Sequence, residues 1–167
     1  IKLSFERQLK VVPSNGMALV NGDDQNCLDV SAGAPCPVKT VGFSEDCDMR
    51  IENVVYDQAG SHFEIDGETY MIPMVGEFNV RNAAMACQSA LFSGLSVDDV
   101  RKGLASFEGI ARRQEERGEV NGVTVIDDFA HHPTAIAQAI KGLRQRYEER
   151  RLWVLFEPRS NTTRRNI

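Results

Sequence analysis

The stretch VIDDFAHHPTAI, Val125 to Ile136, places Asp127, Asp128, His131 and His132 in one short turn between an apolar run and a helical pattern. A carboxylate at the carboxyl end of a strand can accept hydrogen bonds from ribose hydroxyls or hold a metal-bound water. An imidazole there can donate to an anion or move a proton. One aspartate alone would serve equally as a helix cap or as dipole compensation. Two in a row, followed by two histidines, shift the balance toward a binding or catalytic site. Adjacent histidines on a turn point in different directions. No shared metal is therefore expected, and one histidine is expected to face ligand while the other packs or caps. Pro133 suits the first helical position.

Three further groups fit the same chemistry. Arg112 and Arg113 sit in a polar stretch, and guanidinium forks match phosphate oxygens and stack on purine rings. Asn79 and Asn82 open a helical pattern, and an amide offers a base edge both a donor and an acceptor. Asn79 is also expected to cap that helix. Arg159, Ser160, Asn161 and Thr162, with Thr163, Arg164 and Arg165 beyond, form an anion-binding composition after an apolar run. Neither G-x-x-x-x-G-K-[ST] nor G-x-G-x-x-G occurs, so a phosphate cradle of those types is not on this chain.

These residues need a scaffold. LSFERQL, within residues 2–10, reads as an amphipathic helix, and PSNG as a turn. MALVN and VKTVGF read as short strands. Residues 48–73 alternate apolar and polar, the period of half-buried strands, with Asp66-Gly67 as a type I′ hairpin signal, so a small antiparallel sheet is expected. A helix through VRNAAMACQSALFSG ends at Gly94, and Ser96 opens another that runs to about Ser106. EGIARRQEERGEVNG is polar and reads as a connection. VTVI, the helix after Pro133 and LWVLF then form a βαβ pattern, which predicts a parallel strand pair with ligands beyond the carboxyl ends. Ile136, Ile140, Leu143 and Tyr147 share the face of that helix.

The bulk properties are those of a globular α/β protein: 167 residues, 42% hydrophobic, 26% charged, net charge −5. That charge gives no general attraction to nucleic acid, and no apolar run approaches the roughly 20 residues of a membrane helix, so membrane insertion is not expected. Cys27, Cys36, Cys47 and Cys87 lack zinc-ligand spacing and a C-x-x-C pair, and read as reduced thiols of a cytoplasmic protein. The sequence opens inside a helical pattern without a methionine and closes just past an expected strand, as a piece of a longer protein would.

GEFNVRNAAMA, FEGIARRQE, VIDDFAHHPTAI and FEPRSNTTRRN occur in the order found in the Mur ligases, which the chain resembles over nearly its whole length. The resemblance implies an ATP-dependent amide-bond-forming ligase with Mg²⁺, its main metal ligands lying outside this chain. The implied fold is α/β. Residues 1–110 would be the rear of a central ATPase domain with a small antiparallel sheet, 111–119 a hinge, and 120–167 the start of a Rossmann-like C-terminal domain. Phe129-Ala130 is similar to the branch that joins the tripeptide L-Ala-γ-D-Glu-meso-diaminopimelate to UDP-N-acetylmuramate in peptidoglycan recycling. The branch that adds L-alanine, the alternative, tends to carry Tyr-Gly there. The family commonly has His-Asn where this chain has Phe78-Asn79, which removes a histidine role and leaves the asparagine.

By position, the resemblance puts Asn79 and Asn82 near adenine, Arg113 with Arg112 at ATP, and Asp128 at the ribose with Asp127 beside it. It puts His131 and His132 between phosphates and acceptor, and Arg159 with Ser160, Asn161 and Thr162 at the tripeptide. The implied partners are ATP, UDP-N-acetylmuramate, the tripeptide and the remaining domains of the same enzyme. A non-catalytic module that senses a nucleotide or an acidic peptide, and a purely structural piece, are the rival readings.

Overall fold

The computed structural model describes residues 1–158. Helix α1 (Lys2–Leu9) leads into β1 (Ala18–Asn21), α2 (Gln25–Ser31), β2 (Val38–Gly42) and β3 (Met49–Arg50), and the three strands form a parallel sheet in the order β1-β2-β3. Next come β4 (Glu52–Tyr56), β5 (Ser61–Ile65) and β6 (Glu68–Ile72), an antiparallel sheet whose β5–β6 turn holds Asp66 at φ 54° and Gly67 at φ 77°. Both residues are left-handed, as the type I′ turn expected there requires. Helix α2 is not foreseen in the sequence reading. It starts at Asp24, whose carboxylate accepts the Asn26 amide at 2.8 Å.

Helix α3 (Glu77–Phe92) supplies the central face of the core. Val80, Ala83, Ala84 and Cys87 fall at helical spacing, are buried, and pack with Val41, Phe63, Ile65 and Tyr70. The helix ends in a Schellman arrangement. Gly94, at φ 92°, donates to Leu91 O, and Leu95 donates to Ala90 O. Helix α4 (Val97–Ala105) follows, capped by Ser96, whose hydroxyl accepts the Asp99 amide.

The start of α3 differs from expectation. Its N-cap is Gly76, at φ 102°, and Asn79 lies inside the first turn rather than at the cap. The left-handed backbone at Gly76 lets the chain enter the helix three residues early, which frees the Asn79 side-chain amide for other partners.

A single carboxylate ties α3 to the parallel sheet. Asp23 accepts the Phe43 and Ser44 amides at 3.0 and 2.9 Å and Arg81 Nη2 at 2.8 Å. Gly42 is what allows this approach, since a β-carbon there would lie 2.6 Å from the carboxylate. Burial pushes the Asp23 pKa up, but the two amides and Arg81 outweigh it and hold the group below its ordinary 3.8.

Beyond α4 the stretch expected as a connection is half strand. β7 (Glu115–Val120) pairs antiparallel with β8 (Val123–Asp127), through Asn121 at φ 51° and Gly122 at φ 78°. The expected hinge, 111–119, therefore includes most of β7. Helix α5 (Pro133–Arg146) buries Ala139 and Gly142. The parallel pair predicted from LWVLF is not formed. Residues 152–156 line an open cleft of about 320 Å³ with Ile126, Ile136 and Ile140, and carry no strand assignment. A parallel strand needs cover on both faces, and here Trp153 and Leu155 stay 72% and 95% exposed.

The two halves meet where α5 crosses the start of α3. A β-carbon on Gly142 would lie 3.3 Å from Gly76 Cα, 3.3 Å from Val75 O and 3.0 Å from Gln114 Nε2. Lys141 and Glu77 form an exposed 2.8 Å ion pair beside it, which adds little.

Two outcomes follow from these contacts. Gly142→Ala sets an overpacking cost of about 1–3 kcal/mol against the about 1 kcal/mol that alanine gains over glycine inside a helix, so it should cost about 0–2 kcal/mol net, read as a urea midpoint that does not rise. Asp23 has a depressed folded pKa, so its contribution is full above the ordinary value and is lost as the pH falls through the folded one. Urea midpoints measured from about pH 6 to about pH 3 should fall more steeply for the parent than for Asp23→Asn; parallel curves would deny Asp23 this role.

Candidate functional site at the junction of the two halves

Asn79, Asn82 and Arg113 line one cleft of about 580 Å³, whose walls include Ile72, Met74, Leu104, Phe107 and Ile110. Asn79 and Asn82 reach it because they stand three residues apart on α3. Arg113 reaches it from the chain that leaves α4. Apolar walls with a few convergent amides and a cation suit a flat heteroaromatic ligand, and the volume is that of an ordinary small-molecule pocket. Asn79 is buried, and its Nδ2 donates to Val75 O at 2.8 Å and to Gln114 Oε1 at 3.5 Å. Asn82 is exposed on the same face.

The acid-imidazole turn lies on the other side of Arg113. Phe129 is its centre. The Arg112 and Arg113 guanidinium carbons stand 5.0 and 5.9 Å from its ring centroid, and the His131 ring meets it edge-on at 5.1 Å. Each guanidinium gains from the quadrupole of the ring. The Phe129 amide donates to Arg112 O at 2.8 Å, which fixes the ring beneath the arginines.

The aspartates divide their work. Asp127, the last residue of β8, pairs with Arg112 Nε at 3.4 Å. Asp128 accepts two backbone amides, Ala130 at 2.7 Å and Gln114 at 3.0 Å. The turn is thus built by Asp128 before any ligand arrives. Each carboxylate oxygen still has a second lone pair for a hydroxyl.

The histidines also differ. His131 Nδ1 lies 3.1 Å from Phe129 O. A carbonyl only accepts, so Nδ1 donates to it, and in the neutral ring Nε2 is the nitrogen left with a lone pair. His132 is the N-cap residue of α5, gives no side-chain cap, and is exposed. Arg159, Ser160, Asn161 and Thr162 lie outside the described residues.

Sequence reasoning overlooked Gln114 and Glu115, and used Phe129 only as a mark of one branch. Gln114 is buried, holds φ 50°, and joins Asp128 through its backbone amide and Asn79 through its side chain. Arg112, at φ 62°, donates its amide to Glu115 Oε2 at 2.8 Å. That amide, with Arg117, holds the Glu115 carboxyl below its usual range. Left-handed non-glycine residues therefore bracket Arg113. Asn121-Gly122 between Val120 and Val123 was the available signal, because that hairpin fixes where residues 112–115 must run.

Comparison with known proteins bears on this junction. The chain matches the Mur ligase middle domain over residues 4–90 and the Mur ligase, glutamate ligase domain over residues 112–166. It is 33% identical to the UDP-N-acetylmuramate–L-alanine ligase of Clostridium novyi, over 95% of this chain and 35% of that protein. A murein peptide ligase structure from Psychrobacter arcticus shares 32% identity, with a TM-score of 0.65 over 96% of this chain and 35% of that one. MurF from Acinetobacter baumannii, at 23% identity, shares the fold, with a TM-score of 0.74 over 84% of this chain and 32% of that one. The chain spans about a third of the length of the curated relatives it matches. With the middle-domain match running over residues 4–90 of its 167, the chain belongs to the Mur ligase family.

Proposed function

We propose that this chain is part of an ATP-dependent ligase that joins an amine to UDP-N-acetylmuramate. In this reading residues 1–110 are the rear of its ATPase domain, 111–119 its hinge and 120–167 the start of its C-terminal domain. The carrying observation is the convergence of Asn79, Asn82 and Arg113 on one apolar-walled cleft, with Arg113 stacked toward the ring of the acid-imidazole turn. The base would lie between the apolar walls, its edge against the asparagine amides. Arg113 would meet phosphate oxygens, and Asp128 would take a ribose hydroxyl on its remaining lone pairs.

ATP would supply the phosphoryl group that turns the sugar-nucleotide carboxylate into an acyl phosphate, which the incoming amine then attacks. Charge develops first on phosphoryl oxygens and then on a carbonyl oxygen, and both steps reward cations already in place. Arg112 and Arg113 are held over Phe129 before ligand binds, so little reorganisation is needed. His131 Nε2 is the group on this chain suited to accept the proton of the attacking amine. Among the described residues no three His, Cys, Asp or Glu side chains cluster as a metal site. A swing about the hinge would close the cleft and exclude water from an acyl phosphate. No helix among the described residues is long and apolar enough to cross a membrane, which is compatible with a cytoplasmic enzyme.

For the acceptor, the names of the curated relatives favour L-alanine. The second reading is the tripeptide L-Ala-γ-D-Glu-meso-diaminopimelate of peptidoglycan recycling. It draws on Phe129-Ala130 in the turn and on the likeness to the Psychrobacter enzyme, which is named a murein peptide ligase.

Titration of the ¹⁵N-labelled chain with ATP at millimolar concentration should shift the Asn79 and Asn82 side-chain amides together with Arg113 and Phe129. Absence of these shifts, or shifts confined to the far side around Arg150, would remove the nucleotide reading. In the complete ligase, phosphate release with UDP-N-acetylmuramate and ATP should require an amine. Rates with L-alanine and with the tripeptide, measured side by side, decide the acceptor. Asp128→Ala should both lower folding stability, by about 1.5–3 kcal/mol for lost hydrogen bonds to a charged group, and raise the KM for ATP. A stable variant with unchanged KM would take Asp128 out of the site.

A further inference from the structure

The sequence holds three Asn-Gly pairs, Asn15-Gly16, Asn21-Gly22 and Asn121-Gly122. This dipeptide carries a reaction of its own. The glycine amide nitrogen, on losing its proton to base, can attack the asparagine Cγ. An N–Cγ bond forms, the Cγ–Nδ2 bond breaks, and the NH₂ leaves as ammonia after taking a proton from solvent. Water then opens the cyclic imide at either carbonyl. One opening gives aspartate. The other routes the main chain through the side chain as isoaspartate, longer by a methylene. Glycine favours the attack because no β-carbon shields its nitrogen. All the pairs share that chemistry, so the fold decides which of them reacts.

The fold separates them at the nucleophile. The Gly16 amide donates to Pro13 O at 2.8 Å, and the Gly22 amide to Val41 O at 3.0 Å. Attack from either nitrogen first requires that bond to break. Asn21 is held a second time, because its Oδ1 accepts the Asp23 amide at 3.0 Å. Asn121-Gly122 has neither restraint. Among the described residues the Gly122 amide and the Asn121 side chain make no hydrogen bond. Both residues are exposed at the tip of the β7–β8 hairpin, and the end of a two-stranded ribbon opens at little cost.

We propose that Asn121 is a site of spontaneous deamidation, converted with water into aspartate and isoaspartate, while Asn15 and Asn21 are protected. This does not depend on the nucleotide reading of the cleft. The isoaspartyl product has a structural consequence. Arg150, past the end of α5, donates to Gly122 O and, at 2.9 Å, to Thr124 Oγ1, and pairs with Glu119 at 3.3 Å. The turn closes with Val120 opposite Val123 and holds Asn121 and Gly122 at positive φ. A methylene inserted there lengthens the loop that this register spans and draws Gly122 O away from Arg150. The clasp that ties the chain after α5 to the hairpin then loosens.

The test incubates the full 167-residue chain in warm, mildly alkaline buffer, natively and in urea, and follows each Asn-Gly peptide by mass spectrometry. Exchange of NH₂ for OH raises the mass by a single unit. In the native chain the Asn121 peptide should gain it about tenfold faster than the other two, the upper worth of the neutral hydrogen bond that each of those must break. In urea the rates should come together. A native chain in which Asn121 stays intact, or reacts no faster than Asn15 and Asn21, overturns the assignment. So does a lead for Asn121 that persists undiminished in urea, since sequence rather than fold would then set it. Amide exchange within β7 and β8 should be faster in the isoaspartyl chain than in the fresh one. Unchanged exchange would show that the Arg150 clasp survives, and would remove the structural consequence.

Discussion

The Asp128 carboxylate closes a ring between two segments 14 residues apart, and the arrangement of the junction depends on that closure. One oxygen holds the turn that carries Phe129 and His131. The other holds the backbone of Gln114, next to Arg113. Without it the two segments would still be joined by the β7–β8 ladder and by the Phe129 amide on Arg112 O, but Gln114 would lose its hold on the turn. With it, Arg113, which faces the cleft, and the ring beside it share one anchor. An ionised acceptor suits this duty because it takes several amides at once, in bonds stronger than neutral ones.

The second constraint is steric. The start of α3 and the middle of α5 approach at Gly76 and Gly142, closely enough that a methyl group on Gly142 would press on backbone and on Gln114. Close approach brings the buried Asn79 within reach of a residue 35 positions later. The flanking ion pair is exposed.

Much of this was legible in the sequence, and the misses have physical causes. The alternation of residues 48–73, the Asp66-Gly67 turn, the Gly94 terminus and the Ser96 cap are local signals, and the structure has each. The group DDFAHH was legible as a candidate site because its residue types crowd one turn. Asn79 as a cap failed because Gly76, a glycine at φ 102°, opened the helix earlier. β7 was missed because EERGEV is polar. An exposed two-stranded ribbon needs no apolar face, so periodicity was silent and only Asn121-Gly122 spoke for it. LWVLF misled for the converse reason: apolar composition licenses a buried strand but does not supply the layer that buries it. Gln114 was invisible because its role arises from three segments meeting, and no spacing in the chain encodes that.

The arrangement around Phe129 shows why arginine rather than lysine suits positions 112 and 113. Two cations near one another repel, and a lysine pair there would spread into solvent. A guanidinium is planar and weakly hydrated, so it can lie over a ring and still direct N–H groups elsewhere. Both guanidiniums lie over the Phe129 ring, and Asp127 offsets the charge of Arg112 at 3.4 Å. Arg113 has no such carboxylate among the described residues, so its charge is the one left uncompensated beside the cleft. An anionic ligand drawn to that charge would enter at the point where the Asn79–Gln114 pair and the Asp128 turn already meet, so recognition of its base and of its phosphates would draw on a single, preassembled junction.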